Sequence, residues 1–136
     1  MENPNLPKVV EIPPKMQKRL GTGTLLLPSP RDVEGVIRAI RKGTVKTVGE
    51  IREDLAAKYS TTSACPLVTG IFVRISAEAA EEDALQGKAR ITPYWRVVKN
   101  DGSLYPSFPG GVQRQAERLR AEGLQVVKGR IAHRLS

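Results

Sequence analysis

The chain has 136 residues and a formal net charge of +8, with 40% hydrophobic and 26% charged residues. This length and composition fit one soluble globular domain with one modest core. No apolar run approaches the ~18 residues of a membrane span, and no apolar secretory core opens the chain. We therefore expect a cytoplasmic protein without a membrane partner, and the positive charge favours partners rich in phosphate.

Charge distribution and the rarest residue types narrow the chemistry further. Residues 96–136 hold eight Lys or Arg and three Asp or Glu, so an excess of +5 lies in the last third. Cys65 is the only cysteine and His133 the only histidine. A single thiol cannot form an internal disulfide, which is typical of a reducing compartment. Because these two residues are far apart, we predict no metal site, no cofactor and no Cys–His catalytic pair.

Proline recurs throughout residues 1–28. This density argues against a regular helix and favours extended backbone. We predict a proline-rich extended arm over residues 1–28, in which Leu25–Leu27 pack on the core. A single domain is predicted over residues 29–136.

Two capped helices are predicted at the start of this domain. The first runs from Pro30 to about Lys42, with Ser29 as its cap. Its apolar residues recur with the helical period, at Val33, Val36, Ile37 and Ile40. The second begins at Thr47, which has the spacing of a capping box with Glu50. The buried residues predicted for the second helix are Val48, Ile51 and Leu55.

A third helix is predicted after the polar break at residues 60–63, from about Cys65 to Gln86. Pro66 is tolerated in a first helical turn and not later, so the helix should start near it. The residues assigned to its buried face are Leu67, Val68, Ile71, Phe72, Ile75 and Ala79.

The last third predicts two hairpins around a fourth helix. Residues 91–98 and 103–105 are predicted strands on either side of a tight turn, and together they form a wing. A helix of about residues 112–122 follows and stops at Gly123, and a closing hairpin pairs residues 124–127 with 131–135. Three helices followed by a hairpin is the order of a winged helix-turn-helix, so we predict an α+β fold of that kind.

Several motifs in this chain occur in the order of a known family. They are Thr47-Val48-Gly49-Glu50-Ile51, then Val68-Thr69-Gly70, then Pro93-Tyr94-Trp95-Arg96-Val97-Val98, and finally Gly102, Leu104 and Gly110-Gly111. Over roughly residues 29–123 the chain resembles the DNA-binding domain of the alkylguanine-DNA alkyltransferases, whose active-site segment reads Pro-Cys-His-Arg-Val-Val. The resemblance implies a scaffold that binds double-stranded DNA.

The departures from the family pattern argue against its chemistry. Tyr94 takes the position of the acceptor cysteine, and a phenol with a pKa near ~10 is a poor nucleophile. Trp95 replaces the family histidine, and no arginine stands near Leu67, where the family inserts one into the DNA stack. The chain thus resembles the alkyltransferase-like proteins, which lack the cysteine, bind alkylated guanine and recruit repair proteins. We predict a non-enzymatic DNA-binding protein, with lesion recognition and signalling to repair proteins as a further expectation.

The resemblance and the polar residues together define a predicted site. The predicted DNA contacts are Thr61, Thr62, Ser63, Thr69, Arg74, Arg96, Lys99 and Asn100. The candidate base pocket consists of Val48, Tyr94 and Trp95, where an aromatic ring stacks on an extruded base. Trp95 can equally fill the core. The acidic end of the third helix, Glu78 to Asp83, must point away from the duplex.

Two other functions stay open. A protein-interaction module that has lost DNA binding would account for the missing arginine and the acidic helix end. A methyltransferase acting through Cys65 would use a thiol at a helix start, where the pKa of a thiol can be lowered. The simpler expectation for a lone cysteine is a small buried residue.

Overall fold

The computed structural model describes residues 5–132, and it has a mixed α+β architecture. The helices are α1 (Pro14–Leu20), α2 (Pro30–Arg38), α3 (Val48–Tyr59), α4 (Pro66–Leu85) and α5 (Gly111–Ala121). The strands are β1 (Lys8–Glu11), β2 (Thr24–Leu27), β3 (Lys46–Thr47), β4 (Ser63–Ala64), β5 (Val97–Val98), β6 (Val126–Val127) and β7 (Arg130–Ile131). The predicted α+β class is therefore confirmed. None of the helices within residues 5–132 has the length and apolar character that a bilayer crossing requires.

Three small sheets connect these elements. β2 pairs antiparallel with β1 and parallel with β4, while β3 pairs parallel with β5. β6 and β7 form an antiparallel hairpin. Its turn residues Lys128 and Gly129 have φ of 54° and 73°, as a type I′ turn requires. The closing hairpin is thus confirmed, except that residues 133–136, including His133, lie outside the described range, as do residues 1–4.

The predicted wing between residues 91–98 and 103–105 is wrong. β5 pairs with β3 instead, and Ser103 forms an isolated bridge with Arg130. Tyr94–Arg96 form a short 3-10 helix packed between α4 and α5. Pro93 has no N–H for a strand ladder, and a 3-10 turn allows Tyr94 and Trp95 both to be buried. The turn between Lys99 and Ser103 does form, with the Gly102 N–H donating to the Lys99 carbonyl at 2.8 Å.

The N-terminal segment is more regular than its proline content predicts. α1 is a helix inside the predicted extended arm, with Pro13 at its cap and Pro14 at its first position. Proline is compatible with both positions because no intrahelical N–H is needed there. β2 is hydrogen-bonded to β1 on one side and to β4 on the other, and Leu25 and Leu26 are buried as expected.

Local capping decides where α2 and α3 begin, as predicted. Ser29 and Asp32 form a capping box at α2, and Thr47 and Glu50 form one at α3. α2 ends at Arg38, four residues before the predicted end at Lys42. Val48 is only partly buried, so it is not a member of the buried stripe of α3.

α4 buries a different face from the predicted one. Its buried residues are Thr69, Val73, Ser76, Ala77 and Ala80. Leu67 is 66% exposed, and Ile71 and Ile75 are also exposed. Between positions 67 and 75 the helix has apolar side chains on all sides. Their spacing therefore does not indicate which face is buried. The small residues further along let α2 approach closely, and this contact sets the rotation of the helix.

Candidate nucleic-acid interface

Tyr94 lies inside the core and not in a cleft. Its side chain is fully buried, and its hydroxyl donates to the carboxylate of Glu81. The rings of Trp95 and Phe108 pack edge-on against it, each with a centroid separation of 5.3 Å. Burial and the Glu81 carboxylate raise the pKa of the phenol above its ordinary value. In this position the ring offers no face to an extruded base, which corrects the prediction that Tyr94 lines a base pocket.

Trp95 and Arg96 are also structural residues. Trp95 is 8% exposed, and its indole N–H donates to Glu122 Oε2 at 2.9 Å. Arg96 forms an ion pair with Glu122 at 2.7 Å and donates to the Ile40 carbonyl at 2.7 Å. Its side chain is 13% exposed. Arg96 therefore joins α5 to the segment after α2, and its charge is already neutralised, so the predicted phosphate contact at Arg96 is corrected to an internal ion pair.

The two predicted contacts on α4 have opposite orientations. Thr69 is fully buried on the inner face, and its hydroxyl has no hydrogen-bond partner among residues 5–132. It cannot reach DNA from there. Arg74 is on the outer face, where its Nε lies 3.8 Å from Glu78 Oε2.

The structure brings Thr62, Ser63 and Asn100 together around one polar cavity of about 410 Å³ at the start of α3. The Asn100 side-chain oxygen accepts a hydrogen bond from the Gly49 N–H at 2.8 Å. A Cβ at position 49 would lie 2.8 Å from that oxygen, so a larger residue there would displace the Asn100 side chain. Thr61 is next to the cavity, but its hydroxyl donates to the Ser63 carbonyl at 3.2 Å.

Arg52 is the cation of this cavity. Its Nε donates to the Ala64 carbonyl at 2.9 Å, and its Nη2 donates to Ser63 Oγ at 3.1 Å. Within residues 5–132 no carboxylate lies at ion-pairing distance from it. Burial lowers the pKa of Arg52 below its usual value. Lys99 lies beside Asn100 and is exposed, with its ammonium 5.8 Å from the Tyr105 ring.

A basic helix was missed by the sequence analysis. α1 carries Lys15, Lys18 and Arg19 and no acidic residue. In the described part of the chain none of the three has a carboxylate at ion-pairing distance. Lys15 and Arg19 line a small pocket of about 110 Å³ together with Pro66 and Leu67 of α4. The spacing of these cations was visible in the sequence, but the neighbouring prolines argued against the helix that displays them.

Many of the cations in the last third are neutralised, in contrast to α1. Arg114 and Arg118 both contact the carboxylate of Glu81, at 3.4 Å and 2.7 Å. The hydrogen bond from Arg118 is the main reason why the pKa of Glu81 falls to about 2. Arg130 lies 3.3 Å from Asp101. Four cations of this segment are therefore already paired, whereas Lys99, Arg120 and Lys128 have no carboxylate at ion-pairing distance within residues 5–132.

The lone cysteine and the possible metal ligands can be located in the described residues. Cys65 is buried in a small apolar cluster with Ile12 and Leu25, at the position that caps α4. Between residues 5 and 132 no group of three or more His, Cys, Asp and Glu side chains is placed to hold a metal ion.

No protein-family model and no curated protein matches the chain. The cations of α1 lie beside the start of α4, and three residues of the polar cavity around Arg52, Thr62 to Ala64, precede α4 in the chain.

Proposed function

We propose that this protein binds double-stranded DNA without catalysing a reaction, with α1 and the first half of α4 against the duplex. One observation carries the proposal: α1 has three cations without carboxylate partners in the described chain, and two of them, Lys15 and Arg19, line a pocket with the exposed Leu67. Phosphates attract such cations, and the release of condensed counterions drives the binding.

The outer face of α4 suits apolar contact better than base-edge hydrogen bonding. Leu67, Ile71 and Ile75 follow each other at four-residue intervals on this face, with Arg74 beside them. Reading base edges needs several donors and acceptors, and this face has few. Aliphatic side chains instead pack in the minor groove or between base steps. The proposal therefore includes weak sequence preference.

The cavity around Arg52 is the second part of the proposed interface. Thr62, Ser63 and Asn100 supply polar groups there, and Arg52 supplies a charge. Contacts of this kind position a protein on the phosphate backbone and do not select a sequence. Lys99 adds an exposed cation beside Asn100.

Recognition of alkylated guanine and signalling to repair proteins stay predictions from the family resemblance. Tyr94 and Trp95 are buried, so a base pocket would have to use other groups, such as the partly buried Val48. Equal affinity for plain duplexes and duplexes with methylguanine would remove this part of the proposal and leave general DNA binding intact.

The test is a fluorescence anisotropy titration with a short duplex over a series of salt concentrations. We expect tight binding at low salt and a steep loss as salt rises. Replacing Lys15, Lys18 and Arg19 together by glutamine should weaken binding by at least about tenfold. The matched control replaces Arg41, Lys42 and Lys128, three exposed cations outside this surface. Absence of binding at low salt contradicts the proposal, and equal losses in both variants would reduce it to attraction by net charge.

A protein-interaction module is the second candidate function. The exposed row of Leu67, Ile71 and Ile75 favours it, because contiguous apolar surface often marks a protein contact. This candidate predicts no salt-dependent binding to DNA. It also predicts a partner that wild-type protein captures and an Ile71→Asp variant does not.

A further inference from the structure

A second groove, lined by basic residues, lies between the end of α2, the end of α4 and the segment before β5. Its volume is about 510 Å³, and it shares no lining residue with the cavity around Arg52 or the pocket at α1. Five cationic side chains line it: Arg38, Lys88, Arg90, Arg96 and Arg118. None of them belongs to the proposed contact surface of α1 and α4.

Positive charge remains in this groove after its ion pairs are considered. Four of the five cations have a carboxylate partner: Arg38 with Glu34, Lys88 with Asp83, Arg96 with Glu122 and Arg118 with Glu81. The Glu81 carboxylate also forms an ion pair with Arg114, at 3.4 Å. Arg90 is exposed and has no carboxylate at ion-pairing distance within residues 5–132. The five lining cations thus have four carboxylate partners, so one positive charge remains in the groove, and Arg114 adds a second beside Glu81.

Two of the guanidinium groups are held in place before any ligand arrives. Arg96 and Arg118 are 13% and 22% exposed, and each is anchored by a carboxylate. The guanidinium carbons lie 5.7 Å and 4.8 Å from the centre of the Trp95 ring. Groups that are already ordered lose little conformational entropy on binding. Lys88 and Arg90 lie on the exposed loop between α4 and the 3-10 helix.

The remaining lining of the groove is apolar. Ala84, Ile91, Pro93 and Trp95 contribute to it. The volume falls within the range of about 300–1,000 Å³ that small-molecule sites have. A ligand with one anionic group and one flat or apolar group could contact the cationic residues with the first and the apolar residues with the second.

We propose that this groove binds a small phosphorylated organic molecule of about nucleotide size. The phosphate group lies against Arg90 and Lys88, and the organic part lies against Ile91 and Pro93. This site is independent of the proposed DNA surface, so failure of one proposal leaves the other untouched.

Trp95 is the only tryptophan of the chain and lines the groove, so its fluorescence reports on binding there. The probes are ADP, inorganic pyrophosphate and adenosine, titrated without DNA by fluorescence and calorimetry. We expect saturable binding of ADP, weaker binding of pyrophosphate and no binding of adenosine. Arg90→Gln should weaken ADP binding by about tenfold, because it removes a charge-assisted contact.

The control is Lys18→Gln, which removes the same charge from α1 and should leave ADP binding unchanged. Absence of saturable binding of both ADP and pyrophosphate at millimolar concentration overturns the proposal. Equal weakening by both substitutions overturns it too, because net charge would then explain the attraction. Pyrophosphate that binds as tightly as ADP overturns the role of the organic part.

Discussion

Tyr94 donates a hydrogen bond to Glu81 inside the core, and this contact joins the segment before β5 to α4. Arg118 of α5 binds the same carboxylate through two hydrogen bonds, at 2.7 Å and 2.9 Å. Tyr94, which takes the position of the family's acceptor cysteine, is therefore part of a buried polar network. Glu81, which appeared in the sequence as one residue of an acidic helix end, is the centre of that network.

Tyr94→Phe should destabilise the protein by about 1.5–3 kcal/mol, because it removes a hydrogen bond to a charged group. Urea unfolding measures the change in the free energy of unfolding. Tyr105→Phe is the matched control, because no hydrogen bond of its hydroxyl is found within residues 5–132. The control should change stability by less than about 0.5 kcal/mol. Equal effects of the two substitutions would argue against the Glu81 contact.

The depressed pKa of Glu81 predicts a loss of stability in acid. Its pKa is lowered from 4.5 to about 2 in the folded protein, chiefly by the hydrogen bond from Arg118. A carboxylate of this kind stabilises the fold above its unfolded pKa, and the contribution is lost as pH falls through the folded value. Between pH 4.5 and about 2, Glu81→Gln should therefore lose less stability than the wild type. Exposed Glu82→Gln should follow the wild-type curve, and an unchanged acid limb in Glu81→Gln would refute the assignment.

Substitutions of Arg96 and Lys99, which are three residues apart, should have opposite effects on stability and on DNA affinity. Arg96→Gln leaves Glu122 without its ion-pair partner and should cost about 3 kcal/mol of stability. Lys99→Gln should cost less than about 1 kcal/mol, since it loses only an exposed cation near a ring. If the proposed interface is right, DNA affinity falls severalfold in Lys99→Gln and stays at the wild-type level in folded Arg96→Gln. Anisotropy and urea unfolding on both variants check this.

The rotation of α4 can be tested with one exposed and one buried residue. Val73→Ala removes a buried methyl pair and should lower the free energy of unfolding by about 2 kcal/mol. Leu67→Ala alters a mostly exposed side chain, so its effect on stability should stay within about 0.5 kcal/mol. Under the proposed function, Leu67→Ala weakens DNA binding severalfold. A large loss of stability in Leu67→Ala would mean that α4 buries the face first predicted.

The chemistry of short segments was sufficient to predict several elements. The predicted cap at Ser29 and the predicted capping box of Thr47 with Glu50 are both present. The turn at Lys128 and Gly129 also forms as predicted. The helix α1 departs from the prediction because Pro14 is at its first turn, where proline is compatible with a helix.

The sequence by itself determined the starts of α2, α3 and α4, the tight turns and the α+β class, because these depend on groups only a few residues apart. Only the tertiary structure decided which face of α4 is buried and what Tyr94 and Arg96 do. Their partners Glu81 and Glu122 are 13 and 26 residues away along the chain, on other elements. Charge and burial at such a site are set by contacts between elements, so a motif shared with a known family did not reveal that its central residue is in the core.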